Sequence, residues 1–323
     1  MQVLVTGGTG FVGSHSVRAL LAAGHRVRLL ARDPARASVS GVEVASGDVT
    51  DPDAVRRAVA GCDAVLHAAS VFSVKRAKYA EMRRVNVTGT RTVLEAGLAA
   101  GCNPVVHVSS VVALLGGTPR GGTISADSPV GDPFGVYAKT KRDSELVARE
   151  LQAQGRPVLT TYPGSVWGPD DPYLGESSMM AMQAARGFTP MTSTGRMQIV
   201  DVRDVAEVHA RLMRPHAAPA RYAAFGHAVR HCDMHRMVCR AAGVARLNLP
   251  VPPLLAITGL PLFWLVALAG VHWSTSPDGA WLTWRDNGVD NDATTRALGV
   301  RFRPAEDAIR DTVTWLKATG RLA

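Results

Sequence analysis

Residues 3–13 read Val3-Leu4-Val5-Thr6-Gly7-Gly8-Thr9-Gly10-Phe11-Val12-Gly13. The apolar run at residues 3–5 is typical of an inner strand of a parallel sheet, which is covered on both faces. Gly7, Gly10 and Gly13 then permit a tight turn, a close approach of the backbone to a pyrophosphate, and close packing of the next helix. The free N–H groups at the start of that helix favour an anion. This strand, turn and helix predict a dinucleotide-binding site at the start of the chain.

The rest of the chain alternates short apolar strands with amphipathic helices, which is typical of a doubly wound parallel α/β sheet. The predicted strands cover residues 2–6, 26–31, 42–46, 63–68, 104–109 and 157–162, and the predicted helices cover 11–23, 52–60, 79–100 and 136–154. We expect residues 1–164 to form a dinucleotide-binding Rossmann domain. Residues 165–323 are expected to form mostly a smaller α/β substrate lobe, with segments near 198–243 and 304–318 returning to the first domain.

The composition narrows the class of protein. A chain of 323 residues, 46% of them hydrophobic, suits one large α/β domain with an appended lobe. Four scattered cysteines favour a reducing compartment and predict a cytoplasmic location. Because residues 2–6 already form a strand, we expect no secretory signal. The net charge of +9 is spread without a nucleic-acid-binding motif, so we expect small molecules, including anions, as partners.

The end of the second predicted strand bears on the choice of cofactor. In dinucleotide folds this strand end meets the adenosine ribose, where a carboxylate accepts the 2′-hydroxyl of NAD and an arginine pairs with the 2′-phosphate of NADP. Arg32 follows the strand directly, and Arg36 lies four residues further on. These arginines favour NADP, although solvated surface arginines are the alternative. Asp33 beside them leaves the use of NAD open.

A second group of residues suits proton transfer. Ser109 and Ser110 follow a predicted strand at the edge of the sheet where ligands bind in open α/β folds. Tyr137 and Lys141 are four residues apart and share one face of a helix. An ammonium near a phenol lowers its pKa from about 10 toward neutrality, so the phenol can give or take a proton. Taken alone, the Tyr137–Lys141 spacing also fits an ordinary helix surface.

Ordered motifs along nearly the whole chain resemble the extended short-chain dehydrogenase/reductase family, within the NAD-dependent epimerase/dehydratase superfamily. They are residues 6–13, Gly47-Asp48-Val49-Thr50-Asp51, His67-Ala68-Ala69, Asn86-Val87-Thr88-Gly89-Thr90, Ser109-Ser110, Tyr137-x-x-x-Lys141 and Pro163-Gly164. The resemblance implies Tyr137 as general acid/base, Lys141 as a ligand of the nicotinamide ribose, and Ser110 as the hydroxyl that polarises the substrate carbonyl. Ser109 is the rival for this last role.

The same resemblance implies the remaining cofactor contacts. They are Gly7, Thr9, Gly10, Phe11, Val12, Asp48, Val49, Ala68, Ala69, Pro163 and Val166. Asn86 is expected either to lie near the cofactor or to support the structure, and support is the preferred role. The resemblance also implies a homodimer formed through helices of the main sheet.

Within the family the chain looks most like dihydroflavonol reductases and 3β-hydroxysteroid dehydrogenases. This implies transfer of hydride between NADPH and a ketone or aldehyde, or the corresponding alcohol, of a largely apolar substrate. A nucleotide-sugar epimerase with tightly bound NAD and a non-enzymatic dinucleotide sensor are the alternatives. Val111 and Val112 follow Ser110 where sugar dehydratases have an acidic residue, which disfavours dehydration.

The segment 247–277 contains no Asp, Glu, Lys or Arg and is strongly apolar. A membrane-spanning helix needs about 20 apolar residues without interruption. Prolines break this segment, at Pro250, Pro252, Pro253 and Pro261. We therefore expect a buried wall of the substrate pocket rather than a transmembrane segment, with shallow membrane contact as the alternative.

Two polar clusters have both an ordinary and a functional interpretation. The first, called the basic cluster below, is either a solvated face or a surface that attracts an anionic substrate. It consists of Lys75, Arg76, Lys78, Arg83 and Arg84. The second could ligate a metal ion from one helix face, but the same helix carries apolar residues at core spacing, so we expect no metal. It consists of His231, His235 and Cys239.

Overall fold

A computed structural model describes residues 1–73, 75–187, 191–251, 281–282 and 284–322 of the chain. The strands are β1 (Gln2–Thr6), β2 (Arg26–Ala31), β3 (Glu43–Ser46), β4 (Ala64–His67), β5 (Val105–Val108), β6 (Thr123–Ile124), β7 (Val158–Pro163), β8 (Ser165–Trp167), β9 (Met191–Ser193), β10 (Arg196–Asp201), β11 (Ala220–Ala224), β12 (His227–Arg230), β13 (Leu249–Val251) and β14 (Gly288–Val289). The helices are α1 (Phe11–Ala22), α2 (Pro52–Val59), α3 (Tyr79–Arg83), α4 (Thr90–Ala99), α5 (Val112–Leu115), α6 (Val136–Ala153), α7 (Glu176–Arg186), α8 (Val202–Leu212), α9 (His231–Ala242), α10 (Asp292–Leu298) and α11 (Ala305–Ala318).

The main sheet has seven parallel strands in the order β3-β2-β1-β4-β5-β7-β11. Strand β1 pairs with β2 on one side and with β4 on the other. The chain therefore reverses its direction of travel across the sheet between β1 and β4, and ligands of open α/β sheets bind in the crevice at such a point. The doubly wound α/β fold expected from the sequence is confirmed.

Both faces of this sheet are buried. Leu4, Val65 and Val105 face the helices α2, α4 and α6, whereas Val5 and Leu66 face the side of α1 and α8. All five side chains are 0% exposed. Burial on both faces explains why these strands read as continuous apolar runs rather than as alternating ones.

The predicted helix at 79–100 consists of three consecutive segments. Helix α3 is followed by a π-helical segment at Arg84–Gly89 and then by α4. Such wide turns are frequent at functional sites. Here the segment contains Asn86, whose side chain is buried and makes contacts with two neighbouring elements.

A second, smaller unit lies beside the main sheet. Strands β12, β10 and β8 form a three-stranded sheet, and α7, α9 and α11 pack on it around Trp167, Ile199 and Ile309. The sequence analysis predicts that the segment 198–243 belongs to the first domain. Within it, β11 joins the main sheet and α8 packs on α1. Strands β10 and β12 and helix α9 belong to the second unit, as does α11 in the predicted returning segment 304–318.

The apolar segment 247–277 lies mostly outside the described residues, so its predicted role stays a prediction. Within the described ranges, no helix is both long enough and apolar enough to cross a membrane.

Candidate functional site

The glycine turn lies directly against the end of β4. Gly7 has a φ of +74°, and a Cβ placed on it would lie 2.5 Å from the backbone nitrogen of Ala69. A Cβ on Gly13 would lie 2.1 Å from the carbonyl oxygen of Gly7, so α1 packs closely on the turn. Larger residues at these positions would fill the space above the strand ends. The first-turn N–H groups of α1 have no intrahelical partner and are suited to hold an anion there.

A cavity of about 580 Å³ opens at the switch point between β1 and β4. Its volume lies in the usual range for cofactor and ligand sites. It is lined by the predicted cofactor residues Gly7, Thr9, Gly10, Phe11, Val12, Arg32, Arg36, Asp48, Val49, Ala68 and Ala69. The predicted residues Ser110, Tyr137, Lys141, Pro163 and Val166 lie outside this lining. The sequence did not point to Ser70, Val71, Phe72, Asp171, Tyr173 and Gly175, which also line it.

One part of the cavity lining, called the arginine end below, consists of Arg32, Arg36 and Asp48. Arg84 lies outside the lining and is joined to it through Thr50. Arg32 and Arg36 are exposed to solvent. The Nε atom of Arg36 lies 3.2 Å from Oδ2 of Asp33 in an exposed ion pair. Asp33 also accepts a hydrogen bond from the N–H of Ala35, which starts a short 3₁₀ helix at Pro34–Arg36. This helix turns Arg36 back toward the cavity.

Asp48 is held as a carboxylate at this end. Its Oδ1 accepts hydrogen bonds of 2.8 Å from both the N–H and the hydroxyl of Thr50. Arg84 in turn donates to the Thr50 hydroxyl at 3.1 Å. Burial opposes ionisation of Asp48, but the Thr50 hydrogen bonds outweigh it together with the charges of Arg32 and Arg84, and they lower the pKa of the carboxyl. The sequence had placed Arg84 only in the basic cluster.

Two buried histidines, His67 and His107, lie side by side on the neighbouring strands β4 and β5. His67 lies between the hydroxyls of Thr6 and Thr90, at 2.7 Å from Nδ1 and 3.0 Å from Nε2 respectively. Burial lowers the pKa of His67 to about 3, so the ring is neutral and serves the structure. His107 on β5 stacks against it with 5.9 Å between the ring centroids.

A second group of residues, called the tyrosine end below, consists of Phe72, Ser110, Tyr137 and Lys141, of which Phe72 lines the cavity. The rings of Phe72 and Tyr137 meet edge to face with their centroids 4.8 Å apart. Since Phe72 lines the cavity, this contact places Tyr137 next to it. Tyr137 is half-buried in the first turn of α6, two residues after Gly135 with its φ of +103°.

The expected lowering of the Tyr137 pKa is not what the structure shows. Burial raises the pKa of the phenol, the negative charge of Glu176 raises it further, and the Ser70 hydroxyl acts in the opposite direction. The Nζ atom of Lys141 donates to the carbonyl of Val108 at 3.1 Å. The raised pKa keeps the Tyr137 phenol protonated at neutral pH.

Lys141 is buried at 3% exposure. Burial lowers the pKa of its ammonium to about 8, against the opposing charge of Glu145 one helical turn further on. Glu145 is itself fixed by Arg149 at 2.9 Å and by the Tyr162 hydroxyl at 2.6 Å. The ammonium is therefore held in place and titrates close to physiological pH.

The two serines after β5 differ in access. Ser109 is 4% exposed, and its hydroxyl is buried without a hydrogen-bond partner among the described residues. Ser110 is half-buried, and its Oγ accepts a hydrogen bond of 3.4 Å from the N–H of Val112. A weakly held, more accessible hydroxyl is better placed to reach a substrate, which favours Ser110.

Asn86 joins the cavity wall to the helix that carries Tyr137. Its Oδ1 accepts from the N–H of Val71 at 2.8 Å and from the Ser70 hydroxyl at 3.2 Å. Its Nδ2 donates to the Val71 carbonyl at 2.9 Å and to the Thr140 hydroxyl at 3.0 Å. All hydrogen-bonding positions of the amide are used, so the side chain supports the structure.

The possible metal ligands on α9 face the packed interior. His231, His235 and Cys239 are all buried, and Cys239 Sγ lies 3.6 Å from His235 Nδ1. Among the residues that the structure describes, no three His, Cys, Asp or Glu side chains are grouped so as to hold a metal ion.

A parallel sheet with a glycine turn at its switch point, and a Tyr/Lys pair on a helix beside the crevice, defines an NAD(P)-binding enzyme. Residues 3–224 match the model of the NAD dependent epimerase/dehydratase family. The chain belongs to this family, and the resemblance seen in its motifs is confirmed.

Individual relatives agree with this assignment. A putative dihydroflavonol 4-reductase of Synechocystis is 28% identical over 98% of this chain and 94% of its own length. The crystal structure of gox2253 is 31% identical, with a TM-score of 0.85 over 99% of both chains. The Thermus thermophilus UDP-glucose 4-epimerase in complex with NAD is 27% identical, with a TM-score of 0.75 over 98% of this chain and 99% of its own. Other curated relatives are named as reductases and dehydrogenases, and the protein is an oxidoreductase of this NAD(P)-dependent family.

Proposed function

We propose that the protein is an NADP-dependent carbonyl reductase, which transfers hydride to a ketone or aldehyde of a largely apolar small molecule or acts in reverse on the alcohol. One observation carries the proposal: a single cavity runs from Arg32 and Arg36 past the glycine turn to Phe72, whose ring contacts Tyr137. The two ends are suited to a 2′-phosphate and to a proton transfer, respectively.

The residues present fit a dinucleotide. The space above Gly7 and Gly13 is one that any Cβ would fill, and it leads into the cavity. We assign the pyrophosphate to the glycine turn, the adenine to Asp48 and Val49, and the nicotinamide side to Ala68, Ala69, Pro163 and Val166. When bound, the dinucleotide supplies the hydride.

The chain's own residues handle the proton. The raised pKa of Tyr137 keeps its phenol protonated at neutral pH, so the Oη atom donates its proton to the substrate oxygen. The Ser110 hydroxyl holds that oxygen. Lys141, mostly charged at pH 7 because its pKa is about 8, stabilises the phenolate that the transfer leaves.

Oxidation of NADPH with a panel of ketones and aldehydes tests the function. Positioned acid/base catalysis contributes about 10²–10⁴-fold, so Tyr137→Phe is expected to lose activity by this factor while still binding NADPH. Tyr222→Phe, on the far strand β11, is the matched control and keeps its activity. Turnover retained in Tyr137→Phe contradicts the mechanism.

A nucleotide-sugar epimerase is the second candidate. It is supported by the likeness to UDP-glucose 4-epimerase and by the exposed basic cluster, whose Lys75 and Arg76 closely follow Phe72 in the chain. An epimerase would invert a sugar carbon without net consumption of NADPH, so product analysis with nucleotide sugars separates the two. A flat salt dependence of activity would argue against attraction of an anionic substrate by the basic cluster.

Three further expectations belong to the proposal. The second unit would form the substrate lobe, and the protein would form a homodimer through helices of the main sheet, which size-exclusion chromatography tests. A cytoplasmic location is supported by the four cysteines, which are all free and buried.

A further inference from the structure

Arg285 is a buried cation that the site described above does not use. Its residue is 7% exposed. Among the residues that the structure describes, its hydrogen bonds go to carbonyl and amide oxygens and none goes to a carboxylate. A buried charge without a paired counter-charge is costly. The position of this arginine therefore needs an explanation beyond an ordinary ion pair.

The guanidinium of Arg285 joins the C-terminal part of the chain to the end of helix α5. One terminal nitrogen donates to the carbonyls of Leu115 and Thr118, and Nε donates to Oδ1 of Asn287 at 3.1 Å. Asn287 is 0% exposed and donates in turn to the carbonyl of Pro119 at 2.7 Å. Leu115 is the last residue of α5. Arg285 thus supplies donors where a helix end leaves carbonyls without intrahelical partners.

Apolar contacts hold the same helix from the same side. The Cζ atom of Arg285 lies over the ring of Trp281, 5.4 Å from its centroid. Trp281 and Leu282 pack against an apolar cluster that contains Leu114 and Leu115 of α5. Helix α5 is therefore fixed both by hydrogen bonds to its last carbonyl and by packing on its side chains.

The other end of α5 is joined to Ser110. The helix has only four residues and begins two residues after this serine. The carbonyl of Ser110 accepts from the N–H of Ala113 at 3.1 Å, and its Oγ accepts from the N–H of Val112 at 3.4 Å. Because α5 is a single turn, a shift of its C-terminal end also moves the residues that hold the Ser110 hydroxyl.

We propose that Arg285 is a positioning residue: it fixes the C-terminal end of α5 and thereby holds the Ser110 hydroxyl where it meets the substrate oxygen. This inference rests on the role proposed for Ser110. It gives a buried arginine outside the family motifs a part in the reaction, since small displacements of a reacting group lower the rate steeply.

A double-mutant cycle tests the coupling between Arg285 and Ser110. The value of kcat for carbonyl reduction and the dissociation constant of NADPH are measured for the wild type, Arg285→Met, Ser110→Ala and the double variant. Arg285→Met is expected to lower kcat about tenfold through misplacement of the hydroxyl, with NADPH binding unchanged. In the Ser110→Ala background the same change is expected to have no further effect on kcat.

A second variant and a control complete the design. Arg285→Lys keeps the buried charge but lacks the planar fork that meets several acceptors, so we expect it to fold and to lose about three- to fivefold in kcat. The cycle is run with this variant as well, so that the coupling is measured even if Arg285→Met does not fold. Arg120→Met is the matched control and keeps the wild-type kcat. Arg120 is exposed, donates to the carbonyl of Trp284 at 3.0 Å and lies over its ring at 5.5 Å.

The outcomes separate this inference from the proposed function. If Ser110→Ala lowers kcat but both Arg285 variants keep the wild-type value, the positioning role is overturned and the proposed function stands. An equal loss with and without the Ser110 hydroxyl also overturns it, because Arg285 would then act by another route. If Ser110→Ala keeps the wild-type kcat, the proposed role of Ser110 and the positioning role fail together.

Discussion

The charged groups of the arginine end and those of the tyrosine end differ in their exposure to solvent. At the arginine end Arg32 and Arg36 stand in solvent, where water and salt weaken their field beyond direct contact. At the tyrosine end Lys141 is 3% exposed, so burial itself lowers the pKa of its ammonium. In the proposed enzyme, the arginine end would select the cofactor by contact, whereas the tyrosine end would set the protonation state of the groups that transfer the proton.

The largest predicted loss of activity concerns Lys141, the buried cation of the tyrosine end. Lys141→Met removes the charge that we propose to stabilise the phenolate, so the rate of carbonyl reduction at pH 7 is expected to fall roughly 10²–10³-fold. Because the pKa of Lys141 is about 8, the wild-type rate is expected to decline as the pH rises through that value and the ammonium is lost. Steady-state pH profiles of kcat measure both effects.

Lys139→Met is the matched control for this prediction. It removes an ammonium from the same helix two residues away, and both the rate and the decline near pH 8 are expected to persist. A Lys141→Met enzyme with wild-type rates would break the contrast between the two ends.

An intermediate effect is expected at the arginine end. Arg32→Ala removes the proposed charge-assisted contact with the 2′-phosphate, so the ratio of kcat/KM for NADPH over NADH is expected to fall by about tenfold. The loss is expected to shrink at high salt, since the arginine is exposed. Equal preference for the two cofactors in both wild type and variant would remove the argument for NADP.

The smallest predicted effect concerns Glu176, whose negative charge raises the pKa of Tyr137. Glu176→Gln removes one of the two causes that raise the Tyr137 pKa, so the phenol loses its proton at lower pH. Oxidation of the alcohol needs the deprotonated phenol, and its rate at pH 9 is expected to rise about two- to threefold. Reduction at pH 7 is expected to change little.

Glu150→Gln serves as the control for this change, because Glu150 pairs with Arg91 on the solvent side of α6. It is expected to leave the pH profile of oxidation unchanged. A profile for Glu176→Gln that superimposes on the wild type would show that burial alone sets the pKa of Tyr137.

The main sheet was predictable because its signals are local. Apolar runs and glycine turns place the predicted strands and the helices α1, α2 and α6 within one residue of their observed ends. The arginine end was predictable in part, since Arg32 directly follows, and Arg36 closely follows, a strand whose end has a fixed place in such folds.

The other parts of the fold and of the site could not be predicted, because they depend on contacts between segments that are distant in the sequence. Phe72 and Tyr173 are exposed aromatic residues in irregular segments, and no spacing in the sequence shows that they line the cavity. The sequence predicted a lowered pKa for Tyr137, but in the structure the pKa is raised. The sequence pattern shows the neighbouring lysine but shows neither the burial of the phenol nor the charge of Glu176. The placement of α11 in the second unit likewise follows from packing on α7 and α9.

The side-chain amide of Asn86, whose hydrogen-bonding positions are all used, connects the cavity wall to the helix α6. It ties the backbone at Val71, next to Phe72, to Thr140 in the helix that carries Tyr137. We therefore expect that a substrate wide enough to displace Phe72 also displaces Tyr137, so that steric bulk lowers kcat more than it lowers affinity.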